Sequence, residues 1–462
     1  MASTLLRLRR LLLVLIPVLA CASCAPPGVA KAVKPVIDPP PRAEPYPRES
    51  SGAVSLAGGR CSFSGETAAG GGTAFPGGDG LRGDPDFAPG DLPDGVRCWY
   101  EQFWTVIETP RRNAHTTDKA ASNDLYVYAR EIDTYLTTML TALRVTGDLT
   151  VLDEVDRLAQ NMRAQLDDRW YGAATFDSDS VDGYLNWVWD QSHSTQHRGR
   201  DIHEIDEMRT HSLVAQLAWA FSVNQDLPSP NGVDYAERAA FWLDYLVNHF
   251  EAKWRERDDI PWPEFPFLAR PHVHETMEFI RYHHYLYLLT DKEPYRREAQ
   301  RLSDLIVDNF REVEGAGGPV LVTPRSVLSE GGKQNYMIPS TYVRYVYLTA
   351  VDLYFEDFAP WSSDETMTKL ARSLSEFVID NGATDFARDV GGGEARGGIP
   401  ASEIDRWGRF EPPRYNISPY ALLSPWDASG EIADVSVEVF ENTPESQRDI
   451  YIPVAMMLEA AW

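Results

Sequence analysis

Apolar residues recur at helical spacing in four separated stretches of the chain, Val155–Trp170, Tyr235–Phe250, Tyr295–Phe310 and Met367–Gly382. Counted from the first residue of each, the fourth position on is Ala159, Ala239, Ala299 and Ala371. The seventh on is Met162, Trp242, Leu302 and Leu374, and the eleventh is Leu166, Leu246, Ile306 and Val378. The fifteenth is Trp170, Phe250 and Phe310, with Gly382 closing the last copy. Offsets of 4, 7, 11 and 15 return to one face of an α-helix. An alanine at the same place in every copy implies a close helix crossing, because a larger side chain there would hold two backbones apart.

A second helix precedes each of these. Tyr128, Ile132, Tyr135, Leu136, Met139, Leu140 and Leu143 form an amphipathic stripe that ends at Gly147-Asp148. Glycine there stops one helix and aspartate caps the next. Leu213 to Phe221, His274 to Leu289 and Ile338 to Leu353 stand in the same relation to the other three copies. Start-to-start spacings of 80, 60 and 72 residues predict helical hairpins joined by loops of unequal length. Regular open solenoids keep a tighter period. The expected architecture is all-α: an (α/α) toroid, an incomplete or closed barrel of five to seven hairpins. Trp99–Ile107 and Gln447–Trp462 supply further helical partners.

Polar residues gather on the first helices, which would face the centre of such a ring. His274, Glu278, Arg281 and Tyr285 form one stripe, beside a mostly apolar face of Met277, Ile280, His284 and Leu288. Tyr336, Ser340, Arg344 and Tyr347 form another, and Asn123, Arg130, Thr134 and Thr137 a third. The second of these helices opens with HEIDEMRTH, His203 to His211. Glu204, Glu207 and His211 share a face there, expected to look into the ring while Leu213, Val214 and Leu217 pack outward. Acidic residues in a first turn also stabilise the helix dipole, by ~0.3–1 kcal/mol each, with no functional role at all. Nine of the ten histidines lie between His193 and His284, which points to one site on neighbouring hairpins.

Two chemistries suit these residue types. His193-x3-His197 or His272-x-His274 would ligate a metal, but neither spacing is specific and no HExxH occurs. No metal or other cofactor is therefore expected. The other chemistry is elimination from a uronate. The proton at C5 becomes acidic only when the neighbouring carboxylate is neutralised, which asks for Arg, His or protonated Glu. A Tyr or His then serves as base, and an acid protonates the leaving oxygen.

On these helices and residue types the chain, over roughly residues 100–462 of an expected toroid domain spanning 96–462, resembles the exported (α/α)-toroid polysaccharide lyases, alginate-lyase-like and glucuronan-lyase-like families above all. That resemblance implies β-elimination on an acidic glycan. It gives catalytic roles to Glu204, His211 and Arg281, with Tyr285, in preference to Tyr287, as base and acid. Substrate-binding positions would be His203, Glu207, His274, Glu278, Tyr282, Tyr336, Arg344, Trp187, Trp189, Asn123 and Arg130. One departure is plain: the adjacent Asn-His pair of some alginate lyases occurs only as Asn248-His249, on a predicted outer helix. Two other readings stay open. A glycoside hydrolase would set Asp206 or Glu207 across from Glu278, and a glycan-binding lipoprotein would have no competent acid–base set.

Charge narrows the partners. Lys and Arg number 43 against 69 Asp and Glu, a net −26, which excludes nucleic acid and leaves an acidic glycan to be held by a local basic cluster. At the other end, Arg7, Arg9 and Arg10 precede the apolar run Leu11–Ala20, the pattern of an export signal over residues 1–20. Val18-Leu19-Ala20-Cys21 resembles a bacterial lipobox, with Cys21 the lipidated residue and Cys24 a second candidate. This predicts a cell-envelope lipoprotein of the periplasm or outer membrane, and a secreted protein otherwise. Residues 21–95 are rich in Pro and Gly and read as a tether and irregular arm. The two remaining cysteines, Cys61 and Cys98, would then form a disulfide worth ~3 kcal/mol in an oxidising compartment.

Overall fold

The computed structural model describes residues 61, 80–169, 181–187, 204–256, 272–327, 338, 340–379, 386–388, 409–410 and 420–462. All of these belong to the unit Pro40–Trp462. The export signal, Cys21 and Cys24 lie outside the described residues, as does the arm up to residue 79 apart from Cys61.

The hairpin turns carry the architecture. After a single turn at Leu125–Val127 and a wide π turn at Tyr128–Ile132, the chain continues as α3, Asp133–Thr146; α1 (Asp94–Glu108) and α2 (Pro110–Ala120) precede it. Helix α3 stops where Gly147 takes a φ of 74° and donates its N–H to the Leu143 carbonyl at 2.7 Å. Only glycine adopts that left-handed geometry without steric cost. Asp148 then accepts from the Thr150 N–H and starts α4, Leu149–Arg163. The next pair is α5 (Glu204–Val223) and α6 (Tyr235–Asp244), the latter capped by Asp234 and prolonged by a π turn, Tyr245–Glu251, and a last turn, Ala252–Glu256. Then come α7 (Val273–Thr290) and α8 (Glu293–Val307), followed by α9 (Ser340–Phe355) and α10 (Asp364–Ser373). A π turn, Leu374–Val378, extends α10, and Ser363 caps its start. A 3-10 segment, Tyr420–Trp426, leads to α11 (Glu431–Asn442) and α12 (Tyr451–Ala461).

The described residues are thus mostly helical, with three two-stranded sheets: β1 (Asp167–Arg169) with β2 (Val181–Asn186), β3 (Arg311–Gly315) with β4 (Gly318–Val322), and β5 (Phe386–Ala387) with β6 (Arg409–Phe410). The repeated face is buried: Ala159, Ala239, Ala299 and Ala371, then Met162, Trp242, Leu302 and Leu374, all lie in one apolar core. The first copy departs from its expected length. Helix α4 ends at Arg163, Leu166 is only half-buried, and the chain turns into β1. Trp170 lies outside the described residues.

First helices touch first helices in a cycle. Helix α3 packs on α5, α5 on α7, α7 on α9, α9 on Tyr420–Trp426, that segment on α12, and α12 on α3 again. On the other side α4 lies against α3, α6 against α5, α8 against α7, α11 against α12 and the 3-10 segment, and α1 against α12. The described end of the arm straps two hairpin turns: Arg82 forms a paired contact to Asp226, Asn224 holds the Leu81 carbonyl and the Gly83 N–H, and Asp84 donates to the Gly147 carbonyl. A disulfide joins Cys61 to Cys98, fixing that point of the arm to α1. No helix among the described residues is long and apolar enough to cross a membrane.

Candidate functional site

Helix α5 has two polar faces, and they do different things. His211 Nδ1 lies 2.7 Å from the Glu207 carbonyl, which only accepts, so Nδ1 carries the proton. Nε2 then accepts from the Tyr245 hydroxyl at 2.9 Å. The ring stacks 3.6 Å from Phe250 and sits beside Trp187. Glu207 approaches His211 at 3.3 Å and Lys253 at 3.7 Å. Burial, with the Lys253 charge, holds the imidazole neutral far below its ordinary range. This face therefore packs against the π turn after α6, not the centre of the helix cycle as expected. An i, i+4 spacing fixes which residues share a face but not which neighbour covers it.

The central face of α5 is Arg209, Ser212 and Gln216. Arg209 pairs with Asp133 at 2.5 Å. Arg281 pairs with the same carboxylate, and with Glu278 at 3.1 Å. Ser212 Oγ donates to Glu278 at 2.7 Å and accepts from Arg281 Nε at 3.1 Å, while Arg281 donates to Thr137. Beyond it, the Tyr285 hydroxyl donates to Asp352 at 2.8 Å, and Arg144 binds Asp352 and Glu356 at 2.6 Å each. Arg281 and Tyr285 are 0% exposed. Their polar groups are spent on neighbouring helices, and burial with Asp352 drives the Tyr285 phenol well above its usual range. His211 and Arg281 thus lie on different sides of α5, and neither borders the open cavity described below. A polar stripe at helical spacing is satisfied as well by ion pairs between helices as by a ligand. Burial also lifts Glu278 to about 7, with Asp133 raising it further and Arg281 and Arg209 opposing.

Other expected positions have structural partners. Tyr282 donates to Glu251 at 3.2 Å. Trp187 donates to the Met162 carbonyl at 2.8 Å and packs edge-on against Tyr128. Asn123 forms a turn at φ 52° whose N–H reaches the Tyr128 hydroxyl. His203, Tyr336 and Trp189 lie outside the described residues, as does the side chain of Glu204.

Where the first turns of these helices meet, cations converge on one phenol. The Arg209 guanidinium lies 3.5 Å over the Tyr345 ring. Arg344 is 4.5 Å from the same ring and donates to the hydroxyl. Arg130, tied to Asp206 at 3.0 Å, completes the set. Burial alone would raise this phenol, but Arg209, Arg344 and Arg130 outweigh it and hold Tyr345 down at about 8. His274 stacks on Tyr342 at 4.9 Å and on His272, its charge suppressed by burial, by His272 and by nearby guanidiniums.

Arg130 and Arg344 also line a cavity of about 740 Å³. Helix α2 adds Arg112, His115 and Lys119, and Arg448 comes from the turn before α12. Tyr126, Tyr135, Phe440, Tyr451 and Ile452 supply ring and aliphatic surface, and the carboxylates of the lining are Glu131 and Asp449. Of the expected residues, then, Arg130 and Arg344 are brought together at an open cavity. Tyr345, Arg209, Arg112, Lys119 and Arg448 were not foreseen; the adjacent Arg344-Tyr345 pair was the available signal. Asp206 binds Arg130, Glu207 faces His211 and Lys253, and Glu278 sits in the central network, so these carboxylates do not flank a cleft. Among the described residues no group of three or more His, Cys, Asp or Glu is placed to hold a metal ion. Compared with protein-family models, with curated proteins and with solved structures, the chain matches none.

Proposed function

We propose that the helical pairs form an (α/α) toroid that cleaves an acidic, uronate-containing glycan by β-elimination. The cyclic succession of first helices supports the architecture. One observation carries the chemistry: a phenol held at about 8 by three guanidiniums, two of which line a cation-rich cavity in a chain of net charge −26. Arg130 and Arg344 bind the uronate carboxylate and stabilise charge developing on it. The Tyr345 phenolate takes the C5 proton, the C5–H electron pair forms the C4–C5 double bond, and the C4–O bond breaks. The phenol so formed returns its proton to the leaving oxygen. Tyr345 is 1% exposed, so its hydroxyl meets a sugar only when Arg130 and Arg344 turn toward the incoming carboxylate.

Incubation with uronate polymers tests this. A rise in ultraviolet absorbance from the conjugated unsaturated uronide is expected, and Tyr345→Phe should remove it. New reducing ends without that absorbance would instead indicate a hydrolase, and binding without cleavage a glycan-binding protein. The same proposal puts the chain at the cell envelope, lipidated on Cys21 after export; labelled fatty acid should enter the wild type and not Cys21→Ala.

A further inference from the structure

The cavity holds more positive charge than one carboxylate uses. Its lining carries five lysines and arginines, with His115 besides, against two carboxylates. Part of that charge is already matched: Lys119 binds Glu131 at 2.8 Å, and Arg130 binds Asp206. A second cationic group stands apart from the Tyr345 cluster. Arg112 donates to the Arg448 carbonyl at 2.6 Å, which ties α2 to the turn before α12. Arg448 lies 4.5 Å over the Phe440 ring, its Nε donating to the Phe440 and Thr443 carbonyls. These contacts hold Arg448 in place and bring Arg112 beside it, and Asp449, one of the two carboxylates of the lining, follows Arg448 in sequence. Such an excess of fixed cations, in a protein otherwise strongly negative, concentrates anions locally. A volume of about 740 Å³ falls in the range of sites that enclose a ligand of some two sugar rings.

We propose that this cavity is a dianion subsite: it takes two linked acidic sugars, Arg130 and Arg344 on one acidic group and Arg112 with Arg448 on its neighbour. This rests on the acidic-glycan reading above and sharpens it, since a chain with isolated charges would leave Arg112 and Arg448 unmatched. The shared chemistry is an anionic oxygen group on the adjacent ring, carboxylate or sulfate ester, each able to accept a forked guanidinium contact.

Calorimetric titration of the full chain with three disaccharides decides it: a 4-linked diuronate, the same disaccharide with one carboxylate reduced to the alcohol, and that reduced form carrying one sulfate ester. The diuronate should bind at least tenfold tighter than the monocarboxylate. Arg112→Gln should erase most of that difference. Recovery of tight binding by the sulfated form identifies a general anion site; no recovery identifies a carboxylate-selective one, and both agree with the proposal. Equal affinities for the diuronate and the monocarboxylate, no detectable diuronate binding, or a diuronate preference that Arg112→Gln leaves intact would overturn it. Should Arg112→Gln not fold, Lys119→Gln serves as a control that keeps the Arg112–Arg448 pair, and the comparison of the two ligands with Arg112 intact still decides. The titrations are run in the Tyr345→Phe background, which lacks the proposed base, so binding is read without turnover and failure of elimination and failure of this subsite are separate results.

Discussion

On the Tyr345 hydroxyl two opposed forces act: burial disfavours phenolate, and three guanidiniums favour it more strongly. The consequence is measurable without any substrate. Phenolate absorbance should develop with a midpoint near about 8, and the Tyr345→Phe difference spectrum should lack that component. Because the folded value lies below that of a free tyrosine, about 10, the unfolded chain holds the proton longer. Stability from this group therefore grows as pH rises from about 8 toward 10 and is lost as pH falls through about 8. Arg281 gives a contrasting result. From sequence, Arg281→Ala should reduce turnover with little effect on stability; in the structure it strips a cation from Asp133 and Glu278 in a fully buried network. A loss of about 3–5 kcal/mol is expected, read as a lower denaturant midpoint. Residue types were legible in the sequence, and Arg130 and Arg344 were among the expected substrate-binding positions, but nothing in the pattern paired them with each other. The direction each side chain takes was not legible either. His211 and Arg281 look equally functional on a helical wheel, yet one packs against Phe250 and the other against Asp133.

The hairpins were written most clearly in the four alanines, since a small residue recurring on a buried face needs a neighbouring backbone close by. Ala371→Leu adds volume where Ala371 is 0% exposed between packed elements, and should cost about 1–3 kcal/mol by overpacking. Gly147→Ala forces a side chain onto a backbone with φ 74° at the end of α3. A loss of about 1 kcal/mol or slightly more is expected, again from denaturant unfolding with unchanged slope. What the helical period did not reveal is the set of π turns at Tyr128–Ile132, Tyr245–Glu251 and Leu374–Val378. Each slips the register by a fraction of a turn. The second aims Tyr245 and Phe250 at His211 and so converts an expected catalytic group into packing.

Over the whole molecule, buried histidines and buried carboxyls pull the response to acid in opposite directions. His211, His274, His283 and His284 are all held below their ordinary range, chiefly by burial, with His284 at about 4. An unfolded chain takes up these protons first, so the stability they allow is complete above about 6.5 and falls as pH drops below that, by up to ~1.4 kcal/mol per pH unit for each. Glu278, lifted to about 7, acts in the opposite sense between its usual range and neutrality, and so do Asp156, Glu356 and Glu459, whose carboxyls burial also raises. Removing one histidine isolates its share: relative to the wild type, His284→Leu should shift the change in melting temperature between pH 7 and 5 toward greater stability at the acid end. The helix cycle has one more consequence, which concerns time. Arg112 and Arg448, 336 residues apart, share a hydrogen bond, and α12 lies against both α1 and α3. Pairings of such long separation are slow to form. Until α12 arrives, the part of α3 that it covers stays wet and sticky. A nascent chain would thus need a holdase for the longest part of its assembly, and early intermediates should be captured by hydrophobic dyes until the final seam shuts.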